Sequence, residues 1–279
     1  MNIQLLGSVT VHTVEAGQKR VAGGCGRLLA SLAWTPGAFL ADEVVIDRIW
    51  QDRAQPEDPR GALYILATRL RKILGERLTR EAGGYLLNVD EDSVDVARFR
   101  ALARRAHVAY REGMAEKGLR AYDEALALWR GEPMTDIRAP WADAARVTME
   151  HEYREALVAV TELSLLAGRP GERISALHHF TESHPLDERV TGLLMAALHR
   201  DGRRAEALQQ FRCLRRRTID FLGCEPGPEL QELNRSLLVQ GEPAESAVMA
   251  HQLAQPSGKW SAMNPRSLSS LSAGGFATV

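Results

Sequence analysis

The stretch that decides the fold covers residues 60–75 and reads RGALYILATRLRKILG. At about 100° per residue, the spacing of an α-helix, its apolar residues gather on one face. These are Leu63, Leu66, Ala67, Leu70, Ile73 and Leu74. The other face carries Arg60, Tyr64, Thr68, Arg71 and Lys72, with Ile65 and Arg69 on its flank. A helix that buries one side and offers cations, a hydroxyl and an aromatic ring on the other is typical of a major-groove reader.

A glycine hairpin is predicted directly behind this helix. Gly75 is a natural helix stop, and residues 78–89 read LTREAGGYLLNV, two short β-prone runs around Gly83 and Gly84. Cations on an exposed helix face are also consistent with plain solvated surface. The hairpin immediately after the helix favours the DNA interpretation.

Charge is sharply divided along this part of the chain, although the whole sequence has a net charge of −1. Residues 60–80 carry six cations and one anion, a net charge of +5. Residues 42–58 carry six anions and two cations, a net charge of −4. The basic segment favours binding to phosphate. The acidic segment is expected to be repelled by phosphate and to face elsewhere.

Composition excludes several other classes of protein. A hydrophobic content of 45% and a charged content of 25% are ordinary for a globular protein, and 279 residues suit two domains. No apolar run approaches the roughly 20 residues that span a bilayer, and the N-terminus has no signal-peptide pattern. The three cysteines, Cys25, Cys213 and Cys224, form no paired framework and lack metal spacing. We expect a reduced, cytoplasmic protein with no membrane partner.

The first 92 residues predict one α+β unit. Short strands are expected at residues 3–6, 9–14 and 19–22, and the glycine-rich residues 22–27 read as a flexible lead into the first helix. That helix is expected from about residue 26 to residue 34, and a second from Asp42, its expected N-cap, to Trp50. A loop rich in Pro and Asp then precedes the basic helix. The predicted order is three strands, three helices and two strands.

From residue 95 to about residue 240 helical periodicity replaces the strand signals. The pattern Ala-Leu-x-x-aromatic begins at Ala125, Ala176 and Ala207, and the last two copies are 31 residues apart. That spacing is close to the period of about 34 residues in helix-turn-helix repeats. We predict an all-α, TPR-like repeat domain, with a generic helical bundle as the alternative. Residues 241–279 are rich in Ser, Ala and Gly and predict a disordered tail.

The sequence motifs typical of metal-binding and phosphate-binding sites are present only in part. His151 begins a zincin-like helix, but Glu155 stands where a second His is required. His178 and His179 point to different sides of a helix, which makes joint metal ligation awkward. The glycine-rich residues 22–27 lack the Gly-Lys-[Ser/Thr] ending of a phosphate-binding loop. We therefore predict no catalytic residue, no metal site, no cofactor and no enzymatic activity.

Two sets of motifs occur in order along the chain. The first set comprises residues 6–7, 45–50, 62–63, 69–75, 79–80, 84–87 and 95–99. On these residues the N-terminal unit resembles an OmpR-type winged helix-turn-helix. The second set comprises residues 125–131, 140–141, 184–186 and 222–230. On these the chain is similar to the bacterial transcriptional activation domain of the Streptomyces antibiotic regulatory proteins, the SARP family.

The resemblance implies a mainly α protein with an OmpR-type winged-helix DNA-binding domain at residues 1–92. A TPR-like bacterial transcriptional activation domain would follow at residues 95–240, and then the tail. The implied function is sequence-specific activation of transcription of a secondary-metabolite (antibiotic) biosynthesis gene cluster. The implied partners are double-stranded DNA with promoter direct repeats near the −35 region, RNA polymerase holoenzyme, and further copies of the chain on DNA.

The chain departs from the family pattern at two places. The first helix usually opens with a Lys-Gln-Arg-like stretch, of which only Arg27 remains. Gly61 and Leu66 stand where polar or aromatic residues are common. We expect no receiver domain before the winged helix and no nucleotide-binding domain after the repeats. Control by aspartate phosphorylation or by an attached ATPase is therefore not expected.

The candidate DNA-binding residues are Arg60, Gly61, Tyr64, Ile65, Thr68, Arg69, Arg71, Lys72, Thr79, Arg80 and Tyr85. Arg69 is the candidate for a bidentate contact to guanine, worth ~1–3 kcal/mol of discrimination, and Ile65 for a thymine methyl. Tyr64 and Thr68 are expected to reach bases or phosphates. The other cations of the helix are expected to bind phosphate. The wing residues are expected to contact the DNA backbone, with Arg80 entering the minor groove or holding its phosphates.

Alternatives stay open at this point. The acidic loop at residues 51–58 either meets RNA polymerase or is a solvated connector. The whole chain is alternatively a helical-repeat interaction scaffold with weak or no specific DNA binding, whose basic face binds an acidic protein. A small-molecule sensor with a pocket between repeats is a third possibility, although the sequence shows no convergent polar cluster. Binding to duplex DNA that depends on sequence and falls steeply with salt concentration would distinguish a DNA-binding activator from an interaction scaffold.

Overall fold

The computed structural model describes residues 1–13 and 17–239, so the predicted tail at residues 241–279 lies outside the described residues. The first part of the chain forms β1 (Asn2–Gln4), β2 (Thr10–Thr13), β3 (Gly17–Arg20), α1 (Gly23–Ala33), β4 (Phe39–Ala41), α2 (Asp42–Trp50), α3 (Pro59–Leu74), β5 (Leu78–Glu81) and β6 (Gly84–Leu87). Helices make up the remainder. The predicted fold class, a winged helix-turn-helix followed by an all-α repeat region, is confirmed.

Two small antiparallel sheets frame the three N-terminal helices. In the first, β2 lies between β1 and β3, and Ile3 pairs with Val11. In the second, β6 lies between β4 and β5, so that Tyr85 of β6 pairs with Leu40 on one side and with Arg80 on the other. The prediction missed β4. It has three residues, too few for an alternating pattern, and it exists because β6 offers it a partner.

Two local predictions at the helix starts are corrected. The first helix begins at Gly23, three residues earlier than expected, so the glycines form its first turn. A Cβ at Gly26 would lie 2.3 Å from the carbonyl oxygen of Val21, so only glycine allows that close approach. Asp42 is the first helical residue of α2 and not its cap, a place taken by Ala41. The carboxylate of Asp42 therefore remains available for a partner elsewhere.

The repeat region consists of α4 (Asp95–Arg111), α5 (Ala115–Leu126), α6 (Pro140–Leu166), α7 (Gly171–Ser183), α8 (Glu188–Arg200), α9 (Arg204–Leu222) and α10 (Pro228–Val239). Each helix from α4 to α9 packs on the next one along the chain. Aromatic rings follow one another through this stack in the order Phe99, Trp129, Tyr153 and Phe180, with centroids 4.7–6.1 Å apart. These edge and stacked contacts link four segments of the repeat region through one continuous core.

The aromatic residue of the repeated sequence pattern lies inside a helix in two copies and after a helix in the third. In α7 and α9 the aromatic residue, Phe180 or Phe211, is buried within the helix. In the first copy α5 ends at Leu126, so that Trp129 lies in the turn after the helix. The pattern therefore identifies the helix pairs correctly, but it does not place its aromatic residue at one helical position.

A buried carboxylate joins the strand and helix regions. Asp95 at the start of α4 is 2% exposed and accepts hydrogen bonds from the backbone N–H groups of Leu5 (2.8 Å) and Leu6 (3.0 Å). Its second oxygen also accepts from the guanidinium of Arg130 at 2.7 Å. Burial raises the pKa of the Asp95 carboxyl, against the opposing effect of these donors. Leu5 and Leu6, which were expected in the first strand, instead leave β1 to make these bonds.

A second junction lies behind α2. Arg27 of α1 is 4% exposed and pairs with Asp52, while its guanidinium also donates to the carbonyl oxygen of Arg138 at 2.6 Å. The indole N–H of Trp141 donates to the carbonyl oxygen of Arg48 at 2.8 Å. All the described residues accordingly belong to one compact unit. A domain boundary at residues 92–95 stays a prediction.

We expect Asp95→Ala to lower the free energy of unfolding by about 2 to 4 kcal/mol, because the backbone N–H groups of Leu5, Leu6 and Val96 lose the carboxylate that accepts from them. Asp92→Ala is the matched control, since it removes an exposed carboxylate three residues earlier. Urea unfolding of the two variants and the parent chain measures the difference. Equal stability of the two variants would show that Asp95 is not a structural junction.

Candidate nucleic-acid interface

The α3 helix separates its two faces as the sequence predicted. Its buried residues are Leu63, Ala67, Leu70 and Leu74. On the other side Tyr64 is 60% exposed and Ile65 is 52% exposed, although an isoleucine gains nothing from contact with water. Thr68, Arg69 and Lys72 are exposed beside them. We call Tyr64, Ile65, Thr68, Arg69 and Lys72 the recognition face.

The start of α3 is held by a cap. Asp58 accepts a hydrogen bond from the backbone N–H of Gly61 at 2.9 Å, and Pro59 occupies the first helical position. A Cβ at Gly61 would lie 2.1 Å from a carboxylate oxygen of Asp58. The glycine therefore accommodates the cap. Its predicted DNA contact stays a prediction.

Two cations of the recognition face have no ion-pair partner among the described residues. These are Arg69 and Lys72, both exposed. Arg69 lies close enough to Cys25 of α1 for its charge to lower the pKa of that thiol, although burial has the larger effect and raises it. Because their charge is unneutralised, these two side chains are free to pair with phosphate or with a base edge.

The wing residue Arg80 is held in place. Its guanidinium pairs with both carboxylate oxygens of Asp42, which has a 7% exposed side chain, and it lies 4.5 Å over the ring of Tyr85. The hydrogen bond from Arg80 lowers the pKa of the Asp42 carboxyl. Bidentate pairing and ring stacking both fix the planar guanidinium, so Arg80 is anchored to the winged-helix core.

Tyr85 is a correction to the predicted set. It is 1% exposed, so its ring has no surface to offer the DNA backbone. Instead it supports two cations, since Arg71 also lies over the ring at 6.0 Å. The Nε–H of Arg71 donates to the carbonyl oxygen of Leu78 at 3.0 Å, so this half-buried side chain ties α3 to β5. Thr79 is half-buried, with its hydroxyl 3.4 Å from the Leu86 carbonyl oxygen.

The expectation that the acidic segment faces elsewhere is wrong for its first two residues. Glu43 lies 2.6 Å from the guanidinium of Arg60, and Asp42 holds Arg80. These four side chains and Tyr64 line one cleft between α2, α3 and the wing. The sequence showed the opposite charges of the two segments, and it did not show that the first turn of α2 faces the start of α3. Asp52, later in the segment, does face away toward Arg27.

The described residues show neither a membrane-spanning helix nor a metal-binding cluster. None of the described helices is long and apolar enough to cross a bilayer. Among the same residues, no cluster of three or more His, Cys, Asp or Glu side chains is arranged to hold a metal ion.

The chain matches known proteins over most of its length. The family model for the bacterial transcriptional activator domain matches residues 94–238. Regulatory protein DnrI of Streptomyces peucetius is 30% identical over 254 residues, which cover 85% of this chain and 92% of DnrI. Regulatory protein AfsR of Streptomyces griseus is 34% identical over 212 residues, and there the match spans 76% of this chain and only 22% of AfsR.

A solved structure shares the fold. Mycobacterium tuberculosis EmbR, in complex with a low-affinity phosphopeptide, superposes with a TM-score of 0.78 at 25% identity, covering 90% of this chain and 68% of that one. The fold and the relatives thus define a class, the transcriptional regulators that carry a winged helix and a repeat region. Within that class the chain belongs to the bacterial transcriptional activator domain family, as a SARP-type regulator.

We expect Arg80→Ala to lower the free energy of unfolding by about 1 to 2 kcal/mol near pH 7, because Asp42 loses its partner while Arg80 was partly solvated. The folded-state pKa of Asp42 lies below its ordinary value of 3.8, so the pairing stabilises the protein above that pH. This stabilisation is lost as the pH falls through the lowered pKa.

Urea unfolding of Arg80→Ala and the parent chain from neutral pH to about pH 3 checks this expectation. The difference between the two proteins should shrink toward the acid end. Arg77→Ala, which removes an exposed arginine with no described ion pair, is the control and should show no such trend. A difference for Arg80→Ala that is constant with pH would contradict the role of the Asp42 charge.

Proposed function

We propose that this chain is a sequence-specific DNA-binding transcriptional activator of a secondary-metabolite biosynthesis gene cluster. In this proposal it binds direct repeats near the −35 region and recruits RNA polymerase holoenzyme. Support comes from its family and from relatives named as regulatory proteins. The match to AfsR spans only part of that relative, so the activity of AfsR as a whole is not carried over to this chain.

The observation that carries the proposal is the recognition face. It combines an aromatic ring and an aliphatic side chain that are both more than half exposed with a hydroxyl and two cations that pair with none of the described residues. Apolar contact with a thymine methyl gives Ile65 a partner that water does not provide. Arg69 has the fork of donors that matches the O6 and N7 atoms of guanine. Lys72, a turn closer to the end of α3, offers a point charge suited to phosphate.

The loop between α2 and α3 suits a contact with polymerase. Residues 51–55 are exposed, and so are Glu57 and Asp58. Asp52 is nevertheless anchored by Arg27, and Gln51 accepts from the backbone N–H of Trp141 at 3.3 Å. An exposed acidic loop with fixed ends presents its charges in one arrangement, which favours a defined partner over a mobile connector.

Direct repeats in the DNA suit copies of the chain that lie head to tail. A two-fold dimer would instead match an inverted repeat, because each half-site then follows the protein's symmetry. The repeat region supplies broad helical surfaces for contacts between neighbouring copies or with the transcription machinery.

The experiment that tests the function is binding of the full chain to a promoter fragment with direct repeats, against a scrambled competitor, over a salt series. A footprint over the repeats, together with transcription stimulated by purified polymerase holoenzyme, supports the proposal. Weak binding that is indifferent to sequence would instead favour the interaction scaffold.

Arg69→Ala should reduce the preference for the repeats over scrambled DNA by about 1 to 3 kcal/mol, because a base contact is lost. Lys72→Ala should weaken binding to both duplexes equally and flatten the salt slope by about one unit. Fluorescence anisotropy titrations measure both quantities. Arg111→Ala removes an exposed arginine from α4 and serves as the control for overall charge. Identical effects of the first two variants would contradict their separate roles.

A further inference from the structure

The first turn of α2 presents two adjacent carboxylates to the cations that flank the recognition face. Asp42 binds Arg80 from the wing, and Glu43 binds Arg60 from the start of α3. One dipeptide therefore neutralises a cation on each side of the cleft. Carboxylates at this position are also stabilised by the positive end of the helix dipole, so they stay ionised beside DNA.

The two ion pairs differ in strength. The Asp42 side chain is 7% exposed, its pairing is bidentate, and Tyr85 supports the arginine from behind. In the other pair the side chains of Arg60 and Glu43 are 73% and 68% exposed, and one hydrogen bond of 2.6 Å joins them. Exposed single-contact pairs contribute little free energy and exchange readily. Only Arg60 can therefore change partners at small cost.

We propose that Glu43 is a positioning residue that acts as an internal counter-anion for Arg60, which exchanges Glu43 for a DNA phosphate on binding. The inference rests on the proposed DNA-binding function and deepens it. It assigns to Glu43 control over how much of the cationic surface attracts phosphate. Asp42 has a different role, since its arginine remains part of the wing.

The exchange has a distinctive dependence on salt. When Arg60 leaves Glu43 for a phosphate, the DNA releases a counterion while the freed carboxylate recovers one from solution, so the net release is close to zero. With Glu43→Gln no carboxylate is freed on binding, so no cation is taken up from solution. Each phosphate contact then contributes about 0.9 to the salt slope on duplex DNA.

Glu43→Gln should accordingly raise affinity about twofold to fivefold for direct-repeat and scrambled duplexes alike, since Arg60 then reaches a phosphate without first giving up an exposed ion pair. The salt slope should steepen by about one unit. The ratio of affinities for the two duplexes should not change, because every sequence presents the same phosphates.

The decisive experiment is a double-mutant cycle on the full chain with Glu43→Gln, Arg60→Ala and the double variant, titrated against both duplexes over the salt series. Arg60→Ala should have little effect alone and should remove both the gain in affinity and the steeper slope in the Glu43→Gln background. Asp47→Asn, one turn along α2 and exposed, is the matched charge control, and its slope should equal that of the parent. Thermal unfolding checks that the variants are equally folded.

The outcomes separate this inference from the proposed function. If Arg60→Ala acts equally in both backgrounds, or if Glu43→Gln leaves the slope unchanged, the exchange is wrong even when the parent chain reads the repeats. If the parent shows no sequence preference, the proposed function fails, yet the cycle on scrambled DNA still decides the exchange. If no duplex is bound at any salt concentration, both fail.

Discussion

The carboxylate of Asp95 is the contact on which the arrangement of the molecule depends. It is removed from water and accepts from two backbone N–H groups after β1, from the backbone N–H of Val96 and from the guanidinium of Arg130. A buried charge is tolerated only with such partners, so separating these segments would leave the carboxylate unpaired at a cost in stability. The end of β1, the start of α4 and the turn after α5 thereby become one structural unit.

Arginine–carboxylate pairs recur in the rest of the molecule. Their exposure to solvent differs, and so does what each pair contributes to folding. In the pair of Arg27 with Asp52 the arginine side chain is 4% exposed, and the pair holds the loop after α2 against the repeat region. Arg80 with Asp42 is intermediate and forms part of the wing. The exposed pair of Arg60 with Glu43 contributes little to folding and is available for exchange. Solvent access thus separates structural pairs from a pair suited to binding.

This distinction divides the cations of the proposed DNA-binding segment into paired and unpaired ones. The sequence shows six cations over residues 60–80 as one block. In the structure Arg71 and Arg80 surround Tyr85 and support the wing, and Arg60 is neutralised by Glu43. The other three, Arg69, Lys72 and Arg77, are exposed and have no ion-pair partner among the described residues. The unneutralised positive charge of the recognition face is therefore smaller than the local sequence charge indicates.

The sequence by itself determined the helices, the hairpin and the buried face of α3, because apolar periodicity and glycine stops are local signals that need no partner. It also determined the exposure of the recognition face. Only the tertiary structure decided that β4 exists, that Tyr85 is buried and that Glu43 faces Arg60. Each of these depends on residues distant in sequence, and contact between distant residues is set by packing, which one sequence does not display.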